Sequence, residues 1–151
     1  MDHSYKAAEL FMNDCNCAQA VMVAFCDVTG LDEEFASRLA SGFGGGMGRM
    51  REVCGAVSGM VMVLDILYGY TDPGEEDCSK AAHYALVQEL AEQFRQEAGS
   101  ILCRDILDNP PSDPNPTPRT EDYYKTRPCA HMVMTAARIL DKYIAEHPIA
   151  K

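Results

Sequence analysis

Apolar residues recur at intervals of three and four along most of this chain, which is the spacing that places side chains on one face of an α-helix. Strict alternation of apolar and polar residues, the mark of a half-buried strand, is not found. The pattern therefore predicts an all-α fold, a bundle of about six or seven helices in one domain over residues 1–151. The predicted helices cover residues 5–12, 17–28, 33–40, 52–68, a long segment from Pro73 to just before Gly99, 101–107 and 129–146.

Side chains that cap helices support these boundaries. Asn16, Asp32 and Ser100 directly precede three predicted helices, and their side-chain oxygens are suited to accept hydrogen bonds from the first-turn backbone N–H groups. Gly30 and Gly99 follow two helices, where the left-handed conformation that ends a helix favours glycine.

Two segments lack helical periodicity. Residues 42–49 carry so many glycines that a helix there would be costly, so they are predicted to form a loop. Residues 108–128 hold six of the eight prolines, which predicts a wrapping loop or a semi-rigid linker. This second segment is too short to separate two domains.

Charge and hydropathy exclude several classes of function. The formal net charge of −10 disfavours binding to nucleic acid and docking on anionic lipid, because both partners carry negative charge. The longest apolar stretch, residues 53–64, is shorter than the ~20 residues that span a bilayer, so it is predicted to be a buried helix without membrane insertion. No secretory signal is visible at the N-terminus, which predicts a cytoplasmic location.

Seven cysteines are the main chemical feature of the sequence. In a reducing compartment, cysteines are more often catalytic, redox-sensing or metal-binding than parts of structural disulfides. The number is odd, so complete pairing within the chain is excluded.

Four of the cysteines fall at predicted helix N-termini. The first turn of a helix offers unpaired N–H groups and the positive end of the helix dipole, and both favour thiolate over thiol. Thiolate is the form that attacks a disulfide and the form that binds metal. Arginines nearby in the sequence, Arg49, Arg51, Arg104 and Arg127, add positive charge if they point inward. The four cysteines are Cys17, Cys54, Cys103 and Cys129.

The other three cysteines are interpreted differently. Cys26 lies late in an apolar helix and is predicted to be a small buried hydrophobic residue. Cys15 precedes the Asn16 cap and remains a candidate resolving thiol. Cys78 lies among charged residues and is predicted to be a surface or packing residue.

Cys54 is predicted to be the most acidic thiol and the attacking residue. It opens a long buried helix, and the glycines around it are expected to let backbone N–H groups approach its sulfur or another anion. The small residues that follow it leave room for a second sulfur. The candidate backbone contacts are Gly44, Gly45, Gly46 and Gly55.

The segment CGAVSG at residues 54–59 is preceded by FGGGMG at residues 43–48 and by NCAQAV at residues 16–21. With these segments the chain resembles the C_GCAxxG_C_C family of redox-active proteins over about residues 11–140. The four cysteines of the family pattern correspond to Cys17, Cys54, Cys103 and Cys129. The resemblance implies a redox role, often beside transporter genes, and leaves open the redox partner protein, the substrate and whether the chain forms a homodimer.

Three functions are compatible with these observations. The first is a thiol-based redox protein, with thiol-disulfide oxidoreductase activity as one form. The second is a protein in which the same four cysteines hold a [2Fe–2S] cluster or a zinc ion, although the gaps between them are longer than the usual Cys-x-x-Cys steps. The third is a non-catalytic helical accessory module of a membrane transport system with structural cysteines.

Overall fold

The structure, a computed structural model, describes residues 2–71 and 79–149. Within these residues the chain forms nine α-helices and no β-strand, so the all-α prediction is confirmed. The helices are α1 Ser4–Met12, α2 Cys17–Ala24, α3 Cys26–Thr29, α4 Glu33–Ala40, α5 Gly55–Tyr68, α6 Ser79–Ala98, α7 Cys103–Ile106, α8 Glu121–Thr126 and α9 Cys129–Glu146. Pro73 and Cys78, and the predictions made for them, lie outside the described residues.

Two of the three predicted caps start their helices. The third prediction is wrong, because α7 begins at Cys103 and not at residue 101, and the Ser100 Oγ accepts instead from the Leu102 N–H at 3.0 Å. Asn16 and Gln19 form a reciprocal capping box at the start of α2, in which Asn16 Oδ1 accepts from the Gln19 N–H at 2.8 Å. Asp32 caps α4 through the Phe35 N–H at 3.1 Å. Gly30 and Gly99 have φ of 76° and 87°, as expected for glycines that end helices.

The predicted helix over residues 17–28 divides into α2 and α3. The backbone leaves helical geometry at Phe25, whose ring stacks on His3 with the ring centroids 4.2 Å apart. His3 is buried, with its ring nitrogens 2.5 Å from Asp141 Oδ1 and 3.0 Å from Asp27 Oδ1. The bend at Phe25 therefore accompanies a junction that joins the start of α1 to α3 and α9.

The predicted helix over residues 52–68 begins three residues later than expected. Residues 52–54 instead run antiparallel to residues 101–103, with a bridge between Val53 and Leu102. The Cys54 N–H donates to the Ile101 carbonyl at 2.7 Å. Because the backbone of residues 52–54 is hydrogen-bonded to residues 101–103, α5 can start only at Gly55.

The proline-rich segment, residues 108–128, contains a helix that the sequence analysis missed. Thr120 accepts a hydrogen bond from the Tyr123 N–H at 3.2 Å, and two acidic residues follow it in the first turn of α8. These are ordinary helix-start signals, outweighed in the sequence by the surrounding prolines. Side chains of the segment bond to the backbone near the first two helices, Arg119 to the carbonyls of Phe11 and Cys15 and Tyr124 to that of Met12.

α2 lies at the centre of the bundle and packs against α1, α4, α5 and α9. Its close approach to α5 depends on Gly59, where an added Cβ would lie 2.9 Å from the Ala18 carbonyl oxygen and 3.0 Å from the Val21 Cβ. The apolar core fills the space between these helices. In the part of the chain that is described, no helix is long and apolar enough to cross a membrane.

The glycine-rich segment forms a loop, as predicted, with an unusual backbone. Residues 45–49 all have φ between 55° and 71°, which is the left-handed region. Three of the five are glycines, whereas Met47 and Arg49 carry a steric cost of roughly 1–2 kcal/mol each. The loop is held by its own hydrogen bonds, among them Gly48 N–H to the Gly42 carbonyl at 2.8 Å and Glu52 N–H to the Gly46 carbonyl at 2.9 Å.

Candidate functional site

One small cavity brings the four pattern cysteines together. Cys17, Cys54, Cys103 and Cys129 all line a space of about 60 Å³, which we call the cysteine cavity. Each cysteine is less than a tenth exposed, and none of the four forms a disulfide. The volume is enough for a few water molecules and too small for an organic cofactor.

Helix packing places Cys17 beside Cys54. Cys17 is the first residue of α2, and Cys54 immediately precedes α5. Gly55 permits the contact, since an added Cβ there would lie 3.0 Å from the Cys17 Cβ and 2.9 Å from the Phe43 carbonyl oxygen. The small residues at the start of α5 therefore let the two helix ends meet.

Backbone pairing places Cys103 on the same side of the cavity as Cys54. The Cys103 N–H donates to the Glu52 carbonyl at 2.7 Å, in the antiparallel pair that also holds Cys54. Residues two apart in an extended segment point to the same face. Because Cys54 lies opposite residue 101, it shares a face with Cys103.

The proline-rich segment closes the cavity on the side of Cys129. Cys129 opens α9 directly after this segment. The segment contributes Arg119, Tyr123 and Arg127 to the lining. The Tyr123 ring lies 5.0 Å from the Arg119 guanidinium and 5.1 Å from that of Arg127, so it supports both cations.

Arg51 is the most deeply buried cation in the described part of the chain. It is 5% exposed, and its Nη1 lies 3.5 Å from Cys103 Sγ. Its Nε donates to the Pro111 carbonyl at 2.9 Å. Arg51 therefore links the glycine-rich loop, the cysteine cavity and the proline-rich segment.

The four arginines singled out in the sequence have different positions. Arg51 and Arg127 line the cysteine cavity. Arg49 contacts Asp113 and Thr117 outside it, and Arg104 pairs with Glu52. The Arg104 guanidinium also donates to a backbone carbonyl, that of residue 51, at 3.1 Å.

Cys17 and Cys129 are electrostatically distinct although they are neighbours. The Cys17 thiol donates a hydrogen bond to the Cys129 sulfur, which lowers the pKa of Cys129 and raises that of Cys17. The pKa of Cys129 is lowered further by the positive charges of Arg127, Arg119 and Arg51. The hydrogen bond and these charges together outweigh the burial of Cys129, which by itself raises the pKa. Cys129 is thus the thiol of the four whose pKa is held below the ordinary value.

The prediction that Cys54 is the most acidic thiol is wrong. Burial raises the pKa of Cys54 to about 12, although the N–H groups of Ala56 and Val57 act in the opposite direction. The helix start has the expected effect, but desolvation of the thiolate is larger. Burial likewise raises the pKa of Cys103, with Arg51 opposing it.

The glycines proposed as backbone contacts lie around the site without serving the Cys54 sulfur. Gly45 lines the cysteine cavity, whereas Gly44 packs on the Asn16 side chain. A Cβ added at Gly46 would lie 2.7 Å from the Cys103 Cβ. The N–H groups that lower the pKa of Cys54 come from its own helix, so these glycines serve close packing.

Two other cysteines lie away from the cavity. Cys26 is buried, and its thiol donates to the Met22 carbonyl at 3.7 Å, so its interpretation as a buried residue agrees with the structure. Cys15 is partly exposed, is not part of the cavity lining, and its carbonyl accepts from Arg119 at 3.1 Å. Burial raises the pKa of both thiols.

Among residues 2–71 and 79–149, no group of three or more His, Cys, Asp or Glu side chains could hold a metal ion. The alternative in which Cys17, Cys54, Cys103 and Cys129 bind an iron–sulfur cluster or zinc is therefore not supported by the arrangement of these side chains.

Sequence reasoning missed two residues of the site, Arg119 and Tyr123. Both belong to the segment that was predicted to be irregular. The Arg119 guanidinium donates to the carbonyls of Phe11 and Cys15 and lies 4.5 Å from the Phe11 ring. No local signal in the sequence indicates the contacts of Arg119, because Phe11 and Cys15 are more than a hundred positions away.

A family model described as "Putative redox-active protein (C_GCAxxG_C_C)" matches residues 15–143, which confirms the resemblance noted in the sequence. No curated protein and no solved structure matches the chain significantly. The family label writes glycine before cysteine, whereas here Cys54 precedes Gly55. In this fold a side chain at position 55 would collide with the Phe43 carbonyl and with Cys17, so the cysteine fits at position 54.

Proposed function

This chain belongs to the C_GCAxxG_C_C family, described as redox-active, and on that premise we propose that it catalyses thiol–disulfide exchange with Cys129 as the attacking thiolate. Cys17 is the resolving thiol. The observation that carries this assignment is the position of Cys17 and Cys129 in one cavity with three arginines, where the pKa of Cys129 is lowered and that of Cys17 is raised.

The proposal follows from the opposite pKa shifts of the two residues. A thiolate attacks a disulfide, whereas a thiol does not. The hydrogen bond with Cys17 and the positive charges of the arginines lower the pKa of Cys129 and so favour its thiolate, whereas the pKa of Cys17 is raised. The resolving thiol lines the same cavity as the sulfur that it attacks in the second step.

The exchange is balanced in two steps. The Cys129 thiolate attacks one sulfur of a disulfide R–S–S–R, which breaks the S–S bond, forms a mixed disulfide on Cys129 and releases RS⁻. Cys17 then gives up its proton and attacks the Cys129 sulfur, which forms the Cys17–Cys129 disulfide and releases the second thiol. The disulfide R–S–S–R is reduced by two electrons, and the pair of cysteines is oxidised by two.

Cys54 and Cys103 have no step in this scheme. Burial raises the pKa of both, so they remain thiols at neutral pH beside the reacting pair. As uncharged neighbours they add no negative charge that would oppose the Cys129 thiolate.

The test is to oxidise the fully reduced protein with bis(2-hydroxyethyl) disulfide, quench it with acid and map the disulfides by mass spectrometry. A Cys17–Cys129 disulfide is expected as the first product, and Cys17→Ser should stop the reaction at a mixed disulfide on Cys129. Cys26→Ser is the matched control, since Cys26 lies outside the cysteine cavity. First adduct formation at Cys54 or Cys103 would overturn the assignment, and protection of all four thiols until metal is stripped would replace it with metal binding.

A further inference from the structure

A larger pocket lies directly outside the cysteine cavity. It has a volume of about 440 Å³ and is open to solvent, and we call it the outer pocket. Its remaining wall comes from the glycine-rich loop and the proline-rich segment. The residues that it shares with the cysteine cavity are Asn16, Gly45, Arg51, Arg119, Tyr123 and Arg127.

The arginines divide by location into two groups. Outside the shared wall, each arginine has a carboxylate within 4 Å: Arg38 with Glu34, Arg49 with Asp113, Arg95 with Glu92, Arg104 with Glu52 and Arg138 with Glu97. Among the side chains that are described, the three arginines of the shared wall have no carboxylate at that distance. They bind backbone carbonyls, aromatic faces and a sulfur instead.

This distribution is unexpected for a chain with 23 acidic and 13 basic residues. Carboxylates are in excess, yet none of those described lies against these three cations. A guanidinium fork matches a carboxylate in two parallel hydrogen bonds, so the shared wall offers positive charge without a partner of its own.

The two volumes limit what can react. The cysteine cavity has room for a few water molecules or a pair of sulfur atoms. The volume of the outer pocket, in contrast, lies within the range of roughly 300–1,000 Å³ that is typical of small-molecule sites. A disulfide that reaches Cys129 must therefore leave most of its atoms in the outer pocket, against the arginines.

We infer that the substrate of this site is a small disulfide that carries carboxylate groups, held by Arg119 and Arg127 in the outer pocket while one of its sulfurs meets Cys129. This inference rests on the proposed thiol–disulfide exchange and adds the class of its substrate. Both products of the exchange, RS⁻ and RSH, keep their carboxylates and leave through the same pocket.

The experiment compares three disulfides that differ mainly in charge: 3,3′-dithiodipropionate, which is anionic, bis(2-hydroxyethyl) disulfide, which is neutral, and cystamine, which is cationic. Cys17→Ser protein is used, so that the mixed disulfide on Cys129 is the product measured by mass spectrometry. Each rate is divided by the rate of the same reagent with a cysteine peptide. This division removes the intrinsic difference in reactivity.

The normalised rate is expected to be about 10-fold or more higher for the anionic reagent than for the neutral one, which is the low end of electrostatic acceleration in a charged cleft. The cationic reagent should be the slowest. Arg127→Gln should reduce the ratio of the anionic to the neutral rate severalfold. The ratio is compared because this variant also changes the pKa of Cys129, which affects both rates alike. Arg95→Gln removes the same charge on α6, far from the pocket lining, and should leave the ratio unchanged.

The outcomes separate the two proposals. A ratio near one, or a ratio that Arg95→Gln lowers as much as Arg127→Gln does, overturns the anionic substrate while Cys129 still reacts. Failure of all three disulfides to modify Cys129 overturns the exchange reaction itself.

Discussion

The Cys17 thiol donates a hydrogen bond to the Cys129 sulfur, and this one contact moves the pKa values of the two residues in opposite directions. Both cysteines open helices, so their own helix starts do not distinguish them. The arginines of the cavity add to this difference, since their positive charges also lower the pKa of Cys129.

Removal of the donor should make Cys129 less acidic. We expect Cys17→Ala to raise the pKa of Cys129, because it removes a hydrogen bond to a charged group, which contributes roughly 1.5–3 kcal/mol. The measurement is the pH dependence of iodoacetamide labelling at Cys129, followed by mass spectrometry. Cys17→Ser retains an O–H donor and should stay close to wild type. Equal midpoints in wild type and Cys17→Ala would contradict the role of this bond.

Burial of Cys54 should make the fold less stable at alkaline pH. In the unfolded chain this thiol loses its proton near its ordinary value of 9.0, whereas in the folded chain it holds the proton to about 12. Between these values the folded state binds more protons, so its free energy of unfolding falls by about 1.4 kcal/mol per pH unit. Cys129 does not add to this decline. The pKa of Cys129 is lowered in the folded chain, so its contribution to the free energy of unfolding no longer changes once the pH exceeds the pKa that it has in the unfolded chain.

Urea unfolding between pH 9 and 11, in reductant, tests this slope. Cys54→Ser replaces the titrating thiol with a hydroxyl suited to cap α5, so its stability should decline less steeply than that of wild type. Other groups titrate equally in both proteins, so only the difference in slope is interpreted. If the free energy of unfolding declined equally steeply in wild type and in Cys54→Ser, the raised pKa of Cys54 would be contradicted.

Gly59 should tolerate no side chain. An added methyl group would lie 2.9 Å from the Ala18 carbonyl oxygen, a backbone atom that cannot move alone. We expect Gly59→Ala to lower the free energy of unfolding by roughly 1–3 kcal/mol, although alanine is the better helix former by about 1 kcal/mol. Gly42→Ala is the control, since no atom lies within 4 Å of its added Cβ. Chemical denaturation that gives equal stability for both variants would contradict the close helix contact.

Met47 should be replaceable by glycine with a gain in stability. Its φ is 68°, and its side chain is 46% exposed, so little packing is lost with the side chain. Relief of roughly 1–2 kcal/mol of backbone strain should exceed the entropic cost of glycine, about 0.5–1 kcal/mol. Met50→Gly, at an exposed position without positive φ, should instead destabilise. A loss of stability in Met47→Gly, measured by thermal denaturation, would count against the left-handed loop.

Arg119 should hold the proline-rich segment on the bundle. Its guanidinium binds two carbonyls and contacts two aromatic rings at once, which a smaller side chain cannot do. Arg119→Ala should raise amide hydrogen exchange in residues 116–127 by about 10-fold, corresponding to the loss of about one hydrogen bond to a charged group. Arg138→Ala on α9 removes a guanidinium that pairs with Glu97 and should leave this segment protected. Unchanged exchange in Arg119→Ala would mean that other contacts hold the segment.

The sequence determined the features that depend on neighbours along the chain. Asn16 and Asp32 start their helices as predicted, because a cap and its N–H partner are only three residues apart. Cys17, Cys103 and Cys129 are each the first residue of a helix, and the all-α class follows from the apolar spacing. The family pattern identified the same four cysteines from local segments.

Only the tertiary structure decided which cysteine is acidic and what surrounds it. The start of α5 moved to Gly55 because residues 52–54 pair with residues 101–103, about fifty positions away. Arg119 reached the cavity through a carbonyl 104 positions earlier in the chain. A pKa depends on burial and on charges close in space, and the sequence places neither. The helix-start argument therefore chose Cys54, whereas desolvation raises its pKa. The hydrogen bond with Cys17 and the charges of the arginines lower the pKa of Cys129.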